Sequence, residues 1–105
     1  DAGERRAAAA AIGRFVVQLH VLGFRDGNLD LRNLLLRRTD ATWTATKIDS
    51  PRHRIVRPGQ TTDRAARADW LRLLPQLESL QVADAARAAA ATELSSRAAR
   101  PGPGG

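Results

Sequence analysis

The chain has 105 residues, the size of one small domain, and a formal net charge of +6 from 17 Lys and Arg against 11 Asp and Glu. It contains no cysteine, which excludes disulfides, thiolate zinc sites and a cysteine nucleophile. Its longest apolar run, 7–24, is interrupted by Arg14, Gln18 and His20 and does not supply the ~20 apolar residues of a membrane helix. We therefore expect a soluble protein, in the cytoplasm or peripheral at the inner membrane face. Because the sequence has no Met, we expect a fragment or a processed piece.

The first half of the sequence predicts a helix, a polar loop and a hairpin. Residues 3–22 are rich in Ala, the best helix former, and Gly23 is a natural stop. The loop 24–32 precedes two predicted strands, 34–36 and 42–48, which would form a hairpin with a loop of about five residues. The helix has one apolar face at i, i+3, i+4 and i+7, formed by Ile12, Phe15, Val16 and Leu19.

The second half predicts an irregular segment, 50–60, followed by two helices. Thr62 or Asp63 can cap the first of these. We expect a kink or a restart at Pro75, because proline costs a helix interior about 3 kcal/mol. The Ala-rich helix predicted for 82–96 has few large apolar side chains and is expected to bury little. The apolar face of the earlier helix consists of Trp70, Leu73, Leu74 and Leu77.

Two stretches are the most informative about function: 23–36, which reads GFRDGNLDLRNLLL, and 47–50, which reads KIDS. Together they resemble the catalytic loop and metal motif of the protein-kinase-like fold. In that superfamily a helix ending in Leu-His, then a Gly, leads to His-x-Asp-Leu-x-x-x-Asn and two apolar residues, and a hairpin follows that ends in a metal-binding Asp. The matching positions are Leu19, His20, Gly23, Gly27, Leu29, Asn33, Leu34, Leu35 and Asp49.

Within that superfamily the chain looks most like the lipopolysaccharide core kinases, which phosphorylate Kdo or heptose. The Asp-x-x-Arg form of 49–52 and the later RADWLRLL at 67–74 favour this branch. The resemblance implies an α+β, mainly helical fold: the C-terminal (large) lobe of a kinase-like protein, with a short β-hairpin carrying the site. It also implies ATP-dependent transfer of phosphate to a sugar hydroxyl, with Mg²⁺ and ATP as cofactors and a lipopolysaccharide-core sugar as acceptor.

The chain divides, on this interpretation, into an incomplete kinase-like core at 1–81, an Ala-rich helix at 82–97 and a disordered tail at 98–105. The resemblance further implies that Asn33 and Asp49 bind the metal and nucleotide. A hard cation prefers oxygen ligands, so an amide and a carboxylate on adjacent strands make a plausible half-site.

The catalytic loop departs from the family pattern. Asn28 stands at the position of the catalytic Asp, and an amide cannot take a proton from a substrate hydroxyl. Loss of a general base typically costs about 10²–10⁴-fold in rate. Asp26 replaces the usual loop His. Because Asp26, Asn28 and Asp30 alternate, an extended loop would point them the same way, and a neighbouring carboxylate is a candidate substitute base.

The kinase small lobe has no counterpart in this sequence. Kinases need a Gly-rich lid and a strand Lys paired with a helix Glu. Neither is found here, and Lys47, the only lysine, directly precedes the metal motif. We therefore expect the chain to need a small lobe as a partner, and the fragment alone to be inactive.

Simpler structural roles compete with these assignments. Asp26-Gly27 could form a hairpin turn between its flanking residues. Asn33 and Asp49 could each serve only in a turn. His20 is expected to be a structural residue at the helix end, and His53 a solvated loop residue.

Two further groups of residues have candidate roles. Arg52 and Arg54, with Arg57, could bind an anionic substrate or belong to a solvated loop. Asp69 is expected to anchor the lobe by pairing with an Arg.

Two other functions remain alternatives to an active kinase. One is a catalytically inactive pseudokinase or scaffold. The other is a small basic helical protein that binds nucleic acid, for which the +6 charge is the only support. Its Arg residues are spread along the chain and its few aromatic residues disfavour single-strand binding.

Overall fold

The computed structural model describes residues 1–48 and 51–99, with the backbone alone for 98 and 99. Three helices and two small antiparallel sheets form an α+β fold that is mostly helical, at 57%, which confirms the predicted class. The elements are α1 (Ala2–Val21), β1 (Phe24–Arg25), a 3-10 turn (Leu31–Asn33), β2 (Leu34–Thr39), β3 (Thr42–Lys47), β4 (Arg54–Ile55), α2 (Arg64–Ser79) and α3 (Ala83–Ala99). The tail predicted at 98–105 lies almost entirely outside the described residues.

Helix α1 begins and ends as the sequence predicts. The Asp1 side chain caps it by accepting a hydrogen bond from the Glu4 N–H at 2.8 Å. At the other end, Leu22 is the C-cap and Gly23 follows with a φ of 92°. That conformation favours glycine, and a Cβ at Gly23 would also collide with the Val56 carbonyl. The chain therefore leaves α1 sharply and enters β1.

The predicted hairpin is present, but its turn is shorter than expected. β2 and β3 pair from Leu34 opposite Lys47 to Thr39 opposite Thr42, so only Asp40 and Ala41 form the turn. Asp40 adopts a φ of 56°, which Asp tolerates in tight turns. Residues 37–39, which the sequence assigns to a loop, therefore belong to β2 and are exposed to solvent.

A second sheet, which the sequence does not predict, joins the loop after α1 to the segment before α2. Phe24 pairs with Ile55, and Arg25 pairs with Arg54. The Val56 N–H donates to the Gly23 carbonyl at 2.7 Å. Each strand has two residues, too few for any alternation of apolar and polar side chains to be visible.

The core lies between the three helices and the inner face of the hairpin. Asp63 caps α2, and the helix continues through Pro75, so the restart that was one of the two expectations for this position does not occur. Its apolar face is as predicted, with Leu73 and Leu77 fully buried and Trp70 and Leu74 packed at the margin. Within the described residues, no helix is both long and apolar enough to cross a membrane.

Helix α3 buries more than its composition suggests. Ala86 is fully buried, and a Cβ at Gly13 of α1 would collide with the Ala86 carbonyl. The two backbones approach this closely because both contact residues are small. The main core cluster includes Ala83 and Ala86 of α3 and Val82 just before it, so the expectation that this helix buries little holds for large side chains but not for its contact with α1.

Candidate active site

Asp69 of α2 joins three separate parts of the chain. Its side chain is 3% exposed, and its Oδ2 lies 2.9 Å from Nε2 of His20 at the end of α1. Oδ2 also accepts the Asp26 N–H at 3.1 Å, and Oδ1 accepts the Gly27 N–H at 3.1 Å. The expected arginine partner was wrong, since these three donors occupy the carboxylate. His20, 2% exposed, is a structural residue as predicted.

Arg25 forms a second anchor, which the sequence analysis missed. Its guanidinium is 1% exposed and donates to both carboxylate oxygens of Asp63. It also donates to the backbone carbonyls of His20, Phe24 and Gln60. The Arg25 guanidinium holds the pKa of Asp63 well below its usual range. The loop that follows β1 therefore starts from a fixed position, between the end of α1 and the start of α2.

A buried ion pair connects the loop to the hairpin. The Lys47 side chain is 9% exposed and Asp26 is 1% exposed, and Lys47 Nζ lies 3.2 Å from Asp26 Oδ1. The other oxygen of Asp26 accepts the Asn28 N–H at 3.2 Å. Lys47 was missed as a site residue, although a signal existed. Strand alternation places it on the inner face of β3 with Trp43 and Ala45, where a charged side chain needs a partner.

Asp30, like Asp26, is engaged by neighbouring groups. It caps the 3-10 turn, and Oδ1 accepts the Arg32 N–H at 2.8 Å and Nε at 3.0 Å. These hydrogen bonds to Arg32 lower the pKa of Asp30 well below its usual range. Gln76 of α2 accepts the neighbouring Leu31 N–H at 2.9 Å, which ties this end of the loop to the core.

The three residues predicted for catalysis thus lie in one loop, in different environments. The carboxylates of Asp26 and Asp30 are buried and bonded within the structure. Asn28, at the position of the base, is half-buried and its carboxamide makes no hydrogen bond with residues 1–48 or 51–99.

Of the two predicted metal ligands, the structure describes one. Asn33 ends the 3-10 turn, where its N–H donates to the Asp30 carbonyl at 3.0 Å. Its carbonyl accepts the Ile48 N–H at 3.0 Å across the open end of the hairpin. Asp49 lies outside the described residues. The Asn33 carboxamide makes no hydrogen bond within the described part of the chain.

The segment that holds Arg52 and Arg54 packs against the loop. Gly27 has a φ of 77°, and a Cβ there would lie 2.7 Å from the Arg52 carbonyl oxygen. Only glycine fits this position. Both arginine side chains are exposed. His53 is exposed as predicted, but its ring also stacks on Phe24, with centroids 5.5 Å apart.

The alternative role of Asp26-Gly27 as a hairpin turn is wrong. β1 pairs with β4, and residues 28 and 29 form no strand. Among residues 1–48 and 51–99, no three His, Asp or Glu side chains cluster as a metal site by themselves. No protein-family model matches the chain, and no curated protein matches it. The resemblance to lipopolysaccharide core kinases therefore stays a prediction.

We expect Asp69→Ala to destabilise the protein by about 3–5 kcal/mol, because the loop N–H groups and His20 lose their buried acceptor. Urea unfolding measures the change, and amide hydrogen exchange at Asp26 and Gly27 should accelerate first. Asp69→Asn, which keeps one acceptor oxygen, should lose less. The control is Asp84→Ala, which removes an exposed carboxylate paired with Arg6. Equal unfolding free energies for the variants at 69 and 84 would contradict the anchoring role.

Lys47→Met should also cost about 3–5 kcal/mol, because it leaves the Asp26 carboxylate buried without its cation. Adding Asp26→Asn should restore much of that loss, since no uncompensated charge then remains. Arg37→Met, which removes an exposed cation from the same hairpin, is the matched control. A double mutant that is as unstable as the sum of its single changes would show that the two side chains are not coupled.

Proposed function

We propose that this chain is the large-lobe core of a phosphotransferase that resembles the lipopolysaccharide core kinases and transfers the γ-phosphoryl of ATP to a sugar hydroxyl. One observation carries the proposal. The loop with Asn28 is fixed by Asp69 from α2 and by Lys47 from β3, and it leads directly to Asn33 at the open end of the hairpin. Phosphoryl transfer depends mainly on such positioning.

The carboxamide oxygen of Asn33, which has no hydrogen-bond partner among the described residues, fits a hard divalent cation. We assign Asn33 and Asp49 as ligands of Mg²⁺, which neutralises charge on the ATP phosphates when it is bound. Leu35 and Ile48 are 51% and 64% exposed on the described strand ends beside Asn33. Their apolar surface suits the flat base of a nucleotide. The proposal assigns the cover over ATP to a small lobe outside these 105 residues.

At the acceptor side, Asn28 can accept a hydrogen bond from a sugar hydroxyl but cannot take its proton. Asp26 and Asp30 are ionic partners of Lys47 and Arg32, which leaves no free carboxylate among the loop residues 26–33. Transfer by this loop is therefore slow. Since ATP is supplied in the cytoplasm, the proposal places the reaction there, at the inner membrane face for a lipid-borne sugar.

The same engaged carboxylates favour a second candidate function, a pseudokinase that binds nucleotide or a partner without chemistry. The two functions share the metal and nucleotide site and differ only in the fate of the acceptor proton. Introducing a carboxylate at position 28 therefore distinguishes the two functions.

Cation binding at Asn33 is tested with Mn²⁺ as a paramagnetic substitute for Mg²⁺. Titrating the 105-residue chain with Mn²⁺ should broaden the amide resonances of Leu34 and Ile48 before those of α3. Asn33→Ala should abolish this selective broadening, because it removes an oxygen ligand. Asn28→Ala, which removes the neighbouring amide of the loop, is the control and should retain it. Uniform broadening, or broadening unchanged in Asn33→Ala, would refute the metal site.

Asn28→Asp should raise phosphate transfer by about 10²–10⁴-fold, because it supplies a general base. The measurement is Mg²⁺-dependent incorporation of labelled γ-phosphate from ATP into a Kdo- or heptose-containing acceptor, with the small lobe present. Ser79→Asp, which adds an exposed carboxylate at the end of α2, is the control. No transfer by either variant, with nucleotide binding retained, would favour the pseudokinase.

A further inference from the structure

A small cavity lies on the α2 side of the loop, apart from the hairpin end that carries Asn33. Its volume is about 100 Å³, and the described residues that line it come from the loop, from β4 and from α2: Arg25, Gly27, Arg54, Ala65, Ala68, Asp69 and Arg72. A cavity of about 10–15 Å³ holds a single water, so this one has room for a group of several heavy atoms.

Three arginines and one aspartate line this cavity. The two buried side chains among them, Arg25 and Asp69, already have partners within the fold. Arg25 donates to Asp63 and to three backbone carbonyls. Asp69 accepts from His20 and from two loop N–H groups. Neither is available to a ligand without breaking the anchors of the loop.

The remaining two cations are free to bind an anion. Arg54 and Arg72 are exposed, and neither makes an ion pair within the described residues. They come from different elements, β4 and α2, and meet at one cavity. A guanidinium presents donors in a rigid planar fork that matches phosphate oxygens, which makes arginine pairs well suited to phosphate groups.

We propose that this cavity is a binding site for a phosphate monoester, held by Arg54 and Arg72 against Gly27. Gly27 directly precedes Asn28, so an anion bound here lies one residue from the position of the base. That the phosphate belongs to a phosphorylated acceptor sugar rests on the proposed function. The sequence leaves open whether Arg52 and Arg54, with Arg57, bind an anionic substrate or belong to a solvated loop, and the cavity joins Arg54 to Arg72 of α2 instead.

The test is a titration of the ¹⁵N-labelled chain with inorganic phosphate and with glucose 6-phosphate, with glucose as the uncharged control. Both phosphates should shift the Gly27 and Ala68 amides, and glucose should not. Arg54→Gln and Arg72→Gln should each weaken phosphate binding about tenfold. Arg67→Gln is the matched control: it removes the same charge from an exposed position of the same helix outside the cavity lining. Arg72→Lys should bind phosphate more tightly than Arg72→Gln but less tightly than wild type, because lysine keeps the charge but lacks the planar guanidinium.

The site is refuted if wild type shows no saturable shift at Gly27, or if Arg67→Gln weakens binding as much as Arg54→Gln and Arg72→Gln. It is also refuted if the Mg²⁺ complex of a non-hydrolysable ATP analogue displaces the sugar phosphate from the cavity, since the cavity would then serve the nucleotide. That same analogue tests the proposed function separately, through shifts at Leu34 and Ile48. If the ATP analogue does not bind while phosphate still shifts the Gly27 amide, the anion site stands and the proposed kinase function is refuted.

Discussion

The Asp69 carboxylate accepts hydrogen bonds from His20 and from the backbone of Asp26 and Gly27, and the position of the candidate site depends on these three contacts. A carboxylate this deeply buried is unfavourable unless its oxygens are satisfied. Here they are satisfied by donors 42 to 49 residues away in sequence. The loop can therefore take this conformation only when α1 and α2 are packed together.

Lys47 and Arg25 extend this constraint in two directions. Arg25 fixes the entrance of the loop to the start of α2 through Asp63, and Lys47 fixes its middle to β3 through Asp26. The Arg25 guanidinium is satisfied by hydrogen bonds, whereas Lys47 Nζ and Asp26 Oδ1 are held by charge alone, with no hydrogen bond within the described residues. The consequence for chemistry is direct. Carboxylates that hold the loop in place are bound to cations and are not free to take a proton from a substrate.

Local patterns in the sequence predict the local parts of this structure. The 3.6-residue spacing of apolar side chains identified α1 and α2, and Gly23 marked the end of α1. The hairpin was found as well, but the length of its turn was not, because Arg37 to Thr39 are polar and pair in solvent. Packing of α3 on α1 was underestimated, since it depends on the small size of Gly13 and Ala86 rather than on large apolar groups.

What local patterns do not predict is which distant groups meet. The partners of Asp69 and Arg25 lie on other elements, and nothing in the spacing of the sequence specifies them. The two-residue strands β1 and β4 give no periodic signal, although they bring Arg54 beside the loop. Within the candidate site, Asn28 and Asn33 are proposed only because the resemblance assigns positions by order along the chain. Lys47 could have been identified from strand alternation, which places a charge on a buried face.

Under the proposed function, the loop differs from the kinase pattern at two positions, Asp26 and Asn28. An aspartate at position 26, where the resemblance places a histidine, introduces a full negative charge into a buried position, and it is tolerated because Lys47 supplies a cation at 3.2 Å. The carboxylate at position 26 is thus paired within the fold, and position 28 carries an amide. Under the proposed function, the Asp26–Lys47 pair holds the shape of a loop that carries no free base, and such a loop fits binding of substrates more directly than fast chemistry.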